Sequence, residues 1–357
     1  MKILFLEPFY GGSHKDFAQG YARHSAHDID ILSLPPRFWK WRMRGAALEF
    51  FRQIPDIRIY DAVMASDMMD LTDFMALWGR DMPPVVLYFH ENQLSYPLAP
   101  GEKRDFHLGF TNVVSALAAD QVVFNSQVHL DAFVDAARKL ARKMPDKRPG
   151  WMVDEIVKKT RVIYPGCRFS AAPVDDLGGE RPLIIWNHRW EYDKNPDDFF
   201  QVLKRLKKRK VPFELALLGE NYDQWPPIFD QARDLFREEL VAYGYAESRE
   251  AYLDWLRQGR VVVSTAVQEN FGISVVEAVR HGCFPLLPER LSYPEIMPAD
   301  FHGRVLYSNL DELTARLTQV LEEPEQFRGD RKILSDHCSQ YSWEMLSNQY
   351  DKIFKKI

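Results

Sequence analysis

Short apolar runs rich in β-branched residues alternate along the chain with longer stretches whose apolar residues recur at helical spacing. Runs without a polar alternate face belong to strands buried on both sides and joined by crossover helices. In the first half this pattern predicts strands at Ile3–Leu6, Ile29–Leu34, Ala62–Ala65, Val85–Phe89, Gln121–Phe124 and Val162–Tyr164, with helices such as Phe106–Ala119 and Val128–Arg142 between them. A second series follows at Leu183–Trp186, Phe213–Leu218, Arg260–Ser264, Phe284–Leu287 and Arg304–Leu306. The fold class is α/β: two Rossmann-like, doubly wound domains over residues 1–170 and 181–340, facing a central cleft where the carboxyl ends of such sheets bind ligands. From Ser170 to Glu180 periodicity is lost and Ala, Pro, Asp and two adjacent glycines appear, so 171–180 reads as a linker. In the tail, 341–357, Trp343, Leu346, Tyr350 and Ile353 fall at helical spacing and predict a helix whose packing partner the pattern does not identify.

Composition narrows the class. The chain has 357 residues, 46% of them hydrophobic, enough for two domains with real cores. Its 46 Lys and Arg against 51 Asp and Glu give a net charge of −5, which argues against a uniformly basic coat for nucleic acid. Cys167, Cys283 and Cys338 form neither a CxxC pair nor a His-rich neighbourhood, so no disulfide framework or zinc module is expected and a reducing compartment fits best. No segment approaches the roughly 18 apolar residues of a membrane span, and the N-terminal apolar run stops at Glu7, so the expectation is a cytoplasmic protein without a membrane partner.

The most informative stretch runs from Ser264 through Glu269, Asn270, Phe271, Gly272 and Ile273 to Glu277, off a strand and into a helix. A helix beginning near Gly272 would aim its free amides and positive dipole end at a diphosphate or a sugar oxygen. Glu277, inside the helix, could then accept from a ribose hydroxyl while Glu269 stays at the mouth. Taken alone, the pair reads equally well as solvated helix-surface carboxylates. Arg189 and Lys194 follow the strand Leu183–Trp186, and two cations five apart can clamp one diphosphate and offset the charge of a departing nucleoside diphosphate without a metal. A solvated loop is the alternative. Asp28-Ile29-Asp30 imitates an Asp-x-Asp metal motif but opens a strand, so no metal site is expected there.

This half of the chain resembles the retaining GT-B glycosyltransferases, whose C-terminal domain carries a Glu, seven residues, Glu motif with an internal Phe-Gly and an Arg and a Lys ahead of its first helix. Leu218-Gly219-Glu220 matches a further strand-end glycine of that family. The resemblance implies that Arg189 and Lys194 hold the donor diphosphate, Glu277 its ribose and the loop at Gly244 and Tyr245 its base. Glu269 and the amides of Asn270, Phe271, Gly272 and Ile273 would meet the hexose. It favours a front-face route to retention in which the leaving phosphate deprotonates the acceptor and Glu269 orients the sugar.

The first half adds Glu7 to Lys15 with Gly11, Gly12 and His14, then Tyr88 to Pro97 with His90, Glu91 and Asn92, then Val123 to Ser126 with Asn125. Together these are similar to the tRNA-queuosine α-mannosyltransferases over residues 1 to about 170. That family implies GDP-mannose as donor substrate, no further cofactor, and queuosine in a tRNA anticodon as acceptor. Gly11 and Gly12 would approach the donor, or simply turn the chain from strand to helix. His90, at a strand's carboxyl end, could hydrogen-bond the transferred sugar, or be structural; with Arg189, Lys194 and Glu269 it completes the expected catalytic set. His14, Glu91, Asn92 and Asn125 would face the acceptor, although Asn125 and Ser126 could instead cap the next helix. For RNA, Arg37, Phe38, Trp39, Lys40, Trp41, Arg42, Met43 and Arg44 put four basic and three aromatic residues in eight, able to grip phosphates and stack unpaired bases or to bury the aromatics and solvate the cations. A second basic cluster, Arg138 to Arg161, holds nine Lys and Arg against three acids. The alternatives are the same chemistry with a lipid, glycan or small-metabolite acceptor, and a catalytically silent RNA- or nucleotide-binding protein.

Overall fold

The computed structural model describes residues 1–98, 101, 103–169, 181–219 and 226–356, and these divide into two compact units. Met1–Arg168 with Tyr341–Ile357 form the first, and Phe169–Gln340 the second. The expected linker at 171–180 lies outside the described residues, as does Glu220.

The first unit is a six-stranded parallel sheet of β1 (Lys2–Glu7), β2 (Asp28–Ser33), β3 (Ala62–Ser66), β4 (Val85–Phe89), β5 (Gln121–Phe124) and β6 (Thr160–Val162), in the order β2-β1-β3-β4-β5-β6. Its helices are α1 (Gly12–His24), α2 (Trp39–Gln53), α3 (Leu71–Trp78), α4 (Phe106–Ala118), α5 (Gln127–Lys143) and α6 (Trp151–Lys158). Alternate strand residues such as Leu4, Leu6, Leu87 and Phe124 pack with α2 to α6 on one face. Ile3, Phe5, Met64 and Tyr88 face the other way, onto α1 and the C-terminal helix Trp343–Phe354. That settles the partner of the tail. Trp343 sits where Gly20 and Gly166 leave room, since a Cβ on either would lie 2.0 or 2.1 Å from the indole. Asp351 ties the helix down by accepting from Tyr21 Oη, Ser25 Oγ and the Ala26 amide.

The second unit is also parallel: β7 (Leu183–Trp186), β8 (Glu214–Leu218), β9 (Leu240–Gly244), β10 (Gly259–Val263), β11 (Phe284–Pro288) and β12 (Leu306–Tyr307), ordered β12-β11-β10-β7-β8-β9. Its helices are α7 (Pro196–Lys208), α8 (Ile228–Leu235), α9 (Arg249–Gln258), α10 (Ile273–Arg280), α11 (Tyr293–Ile296) and α12 (His302–Val305), with α13 (Leu310–Glu322) and α14 (Arg328–Cys338) after the last strand.

Three strand expectations need correction. The last strand of the first unit is Thr160–Val162 rather than Val162–Tyr164, although the Ile163 amide still reaches Phe124 O. Arg304 and Val305 belong to a helical turn, and pairing begins only at Leu306. β9, half-exposed along its length at the sheet edge, lacks the continuous apolar run that marks a buried strand.

Strand order fixes where ligands are received. In each sheet the winding reverses at one point, between β1 and β3 in the first and between β7 and β10 in the second, and the loops leaving the carboxyl ends part there.

Candidate functional site

In the second unit the reversal point brings Lys194 and Glu269 together. Lys194 ends a single 3₁₀ turn, Tyr192–Lys194, after β7, and its Nζ donates to Gln268 O at 2.8 Å and lies 3.4 Å from Glu269 Oε2 and 3.3 Å from Asp193 Oδ2. The two loops are sewn together along the backbone. Thr265 Oγ1 donates to Lys194 O and Asn195 O, the Val267 amide donates to Asp193 O, and Arg290 donates to Ala266 O and Thr265 O. A buried ammonium held by carboxylates and a carbonyl is a fixed positive charge, the kind that stabilises charge developing on a phosphate. Arg189, on the same loop, is exposed and pairs with Glu191 at 3.3 Å. Burial pushes the Glu191 carboxyl up, against the pull of Arg189.

Gly272 caps α10 at φ +96°, a conformation that favours glycine, and starts the helix where the sequence places it. Asn270 accepts from Gln268 Nε2, Phe271 is buried with its carbonyl taken by Ser292, and Ile273 is the first helical residue. Glu277 departs from expectation. It is buried, and its carboxylate is held by Arg249 and by Tyr252 Oη, both from α9. Tyr252 also receives Asn187 Nδ2, whose second bond goes to Ser274 O. A ribose hydroxyl would therefore join an existing network. Gly219 is required by a close approach, since a Cβ there would lie 1.9 Å from His188 O. His188 is buried at the end of β7, and burial with Lys194 nearby lowers its imidazole to about 3. Gly244 closes β9 at φ +108°, and Tyr245 beyond it is 73% exposed.

In the first unit the ends of β1, β3 and β4 gather Glu7, Asp67 and His90, and α1 adds His14. Glu7 is fully buried, and its Oε1 accepts from the Phe9 amide at 2.9 Å, Ser66 Oγ at 3.0 Å and His14 Nδ1 at 3.2 Å. Its Oε2 lies 3.6 Å from His90 Nε2. The His14 and His90 rings stack with centroids 3.8 Å apart and planes 26° apart. Glu7, His14 and His90 bring their ligand atoms within 4.8 Å of one another, the spacing of a metal site. The stacking speaks against one, because imidazole donates in its own plane and a single ion would lie out of plane for at least one of two nearly parallel rings.

Asp67 Oδ1 accepts the His90 amide at 2.8 Å, and Asn125 Nδ2 donates to His90 O at 2.9 Å, so this histidine is clamped from both sides of its backbone. Burial and the neighbouring Glu91 raise the Asp67 carboxyl well above its ordinary range. Asn125 is thus committed within the protein, its Oδ1 meeting His129 Nδ1 at 2.7 Å, while Ser126 caps α5. Asn92 is likewise spent on its own turn, accepting from the Leu94 and Ser95 amides and donating to Ser95 Oγ. Neither amide faces an acceptor as expected. Glu91 accepts from Gln93. Gly12 has φ +48° with open space around it, whereas Gly11 is pressed against Pro36, 2.6 Å from where a Cβ would stand.

The aromatic-basic segment divides. Phe38 and Trp41 are 73% and 62% exposed, and Arg37 and Lys40 are exposed beside Phe38 and Trp39. Trp39 is partly buried and packs against the cluster of Met43, Met68 and Leu108, so its ring is committed to the fold. Arg42 donates to Pro35 O, and Arg44 pairs with Asp70 at 3.2 Å.

Sequence reasoning missed Glu7 and Asp67 as site residues, though both end apolar runs, and missed Arg249 and Tyr252, for which no motif signals. Asp28 and Asp30 lie in edge strand β2, with Asp30 paired to Lys2.

Two such sheets, with a lysine and a glutamate meeting at the reversal point of the second, define the class: a GT-B glycosyltransferase. Sucrose-phosphate synthase from Thermosynechococcus elongatus superposes with a TM-score of 0.76 at 14% identity, over 100% of this chain and 99% of that one. HepE of Anabaena in complex with UDP gives 0.71 at 16%, over 100% of both. Residues 172–341 match the glycosyl transferases group 1 family, and residues 2–167 match the tRNA-queuosine alpha-mannosyltransferase N-terminal family. The tRNA-queuosine alpha-mannosyltransferase of Drosophila melanogaster is 36% identical over 369 residues, covering 99% of this chain and 96% of that protein. The chain belongs to the tRNA-queuosine alpha-mannosyltransferase family. A more distant relative, a GDP-mannose:cellobiosyl-diphosphopolyprenol alpha-mannosyltransferase of Xanthomonas oryzae pv. oryzae, is 24% identical over 251 residues, 68% of this chain and 64% of that protein. Among the described residues no helix is long and apolar enough to cross a membrane.

Proposed function

We propose that the protein transfers mannose from GDP-mannose to the cyclopentenediol of queuosine in a tRNA anticodon, with retention of anomeric configuration, in the cytoplasm. The observation that carries this reading is the buried Lys194–Glu269 pair at the reversal point of the second sheet, in a chain of this family. The donor named for the Xanthomonas relative supports GDP-mannose. Three buried free cysteines fit a reducing compartment.

As the bond between the sugar and the diphosphate breaks, its electron pair goes to the phosphate oxygen. Lys194 and Arg189 supply positive charge to that oxygen's neighbourhood without a metal. A double displacement would need a carboxylate nucleophile, and Glu269 is a poor one while its oxygen is held by the Lys194 ammonium. The reading is therefore the front-face route. The acceptor hydroxyl attacks from the side the diphosphate leaves, and its proton passes to the departing phosphate oxygen. Glu269 orients the hexose, and Glu277, with Arg249 and Tyr252, receives the ribose.

The test is a donor panel on queuosine-containing tRNA, with NMR of the digested nucleoside product. Transfer from GDP-mannose and not from UDP-glucose, giving an α-mannoside, is expected. A β-linked product contradicts retention, and equal transfer from UDP-glucose contradicts the donor.

A further inference from the structure

We propose that Glu7 and His14 are positioning residues for the transfer reaction: a buried carboxylate and the imidazole bonded to it, stacked on His90, that fix His90 toward a hydroxyl of the reactants. The proposal rests on the functional reading above in taking the chain to transfer a sugar, and adds that His90 touches a reactant.

The geometry comes first. Glu7 is immobilised by bonds from the Phe9 amide and Ser66 Oγ, and from that fixed position it receives His14 Nδ1 on one oxygen while the other lies near His90 Nε2. His90 is held by its backbone between Asp67 and Asn125, by the face of His14, and by the edges it makes with Phe17 and Tyr88, whose rings lie 5.2 and 4.7 Å away.

Two imidazoles in face contact do not both carry a proton cheaply, because like charges in a buried site repel. The surroundings decide which ring is charged. His14 faces Glu7 from β1, Asp67 from beyond β3, and Glu91 and His90 from beyond β4; burial opposes its charge, but the acidic groups, Glu7 first, prevail and raise it above the usual histidine value. His90 faces His14, Glu7 and His129 of α5, and burial together with the two histidines takes it well below that range. The pair is thus split. A neutral imidazole offers one donor and one acceptor, so it can both give to and take from a hydroxyl, whereas an imidazolium only donates.

The experiment follows the ring nitrogens of the ¹⁵N-labelled full chain by NMR across pH, beside the pH profile of kcat, in the wild type and in Glu7→Gln. The wild type should show His14 keeping its proton to a higher pH than an ordinary histidine and His90 losing its proton at a much lower one. Glu7→Gln keeps an acceptor oxygen but removes the charge, so His14 should lose its proton about one pH unit lower or more. The Glu7–His14 ion pair that fixes His90 exists only while His14 is charged, so the alkaline limb of kcat should move to lower pH. On the alkaline side of the shifted limb kcat should drop about tenfold with little change in KM for the donor. His14→Gln, a second variant should Glu7→Gln not fold, should abolish that limb and let His90 take up its proton at a higher pH than in the wild type. His90 titrating before His14, or a Glu7→Gln protein that melts lower yet keeps the wild-type profile, overturns the proposal. The ring titration needs no turnover, so a wild type that labels no tRNA would sink the functional reading and still leave the charge split tested.

Discussion

Lys194 shows how burial makes a side chain chemically useful. Its ammonium is held among Gln268 O, Glu269 and Asp193, so replacing it removes a fixed charge and leaves two carboxylates without their partner. Lys194→Ala should weaken GDP binding by about tenfold or more and lower turnover by about a hundredfold or more. Calorimetry with GDP is the check, and unchanged affinity would remove Lys194 from the diphosphate site. The buried histidines make a second prediction. His129 and His188 titrate at about 3 because burial disfavours their charged forms. The unfolded chain binds protons at these positions from about pH 6.5 downward, so each subtracts about 1.4 kcal/mol of stability per pH unit as pH falls from there toward about 3. His90 acts in the same direction, and His14, shifted upward, offsets part. Urea unfolding followed by tryptophan fluorescence should show a clear loss between about pH 7 and pH 5, smaller in His129→Gln. A flat profile would mean that these rings are protonated in the folded protein.

The C-terminal helix is held to the first sheet by one large side chain inserted between two glycines. Gly20→Ala or Gly166→Ala places a methyl group against the Trp343 indole and should cost about 1–3 kcal/mol, read as a lower melting temperature. Melting at the wild-type temperature would mean that the indole has room to move. The same helix shows what the chain alone discloses. Its periodicity was plain, whereas its partner depended on a contact with residues more than 300 positions earlier in sequence, such as Tyr21 with Asp351. Strands buried on both faces announce themselves as apolar runs. β9, half-exposed at an edge, does not, and β12, two residues long, is marked only by the run Arg304–Leu306 that overlaps its first residue. The carboxylate spacing of Glu269 and Glu277 and the cations Arg189 and Lys194 were legible because they sit in one local motif each. The Glu7, His14, Asp67 and His90 cluster was not, since it needs β1, β3 and β4 to be neighbours, and strand order is a property of the fold.

Taken whole, the molecule divides its work between a unit whose sheet end gathers imidazoles and carboxylates and a unit whose sheet end gathers a lysine and two glutamates. A net charge of −5 leaves RNA binding to local patches rather than to the overall field. The exposed aromatics, Phe38 and Trp41, are where bases would stack. The double variant Phe38→Ala, Trp41→Ala should raise KM for tRNA by about thirtyfold or more and leave slow donor hydrolysis intact, since each lost stacking contact costs about 1–3 kcal/mol. Equal loss of donor hydrolysis would place these residues in the fold rather than on the acceptor. Trp39→Ala, by contrast, should lower stability, because that ring packs with Met43, Met68 and Leu108. The central claim is tested most directly by incubating the protein with GDP-[¹⁴C]mannose and two tRNA preparations, one carrying queuosine and one carrying guanosine at the same anticodon position. Acid-precipitable label on the queuosine tRNA alone is the predicted result. Donor consumed with neither tRNA labelled, or both labelled equally, would contradict it.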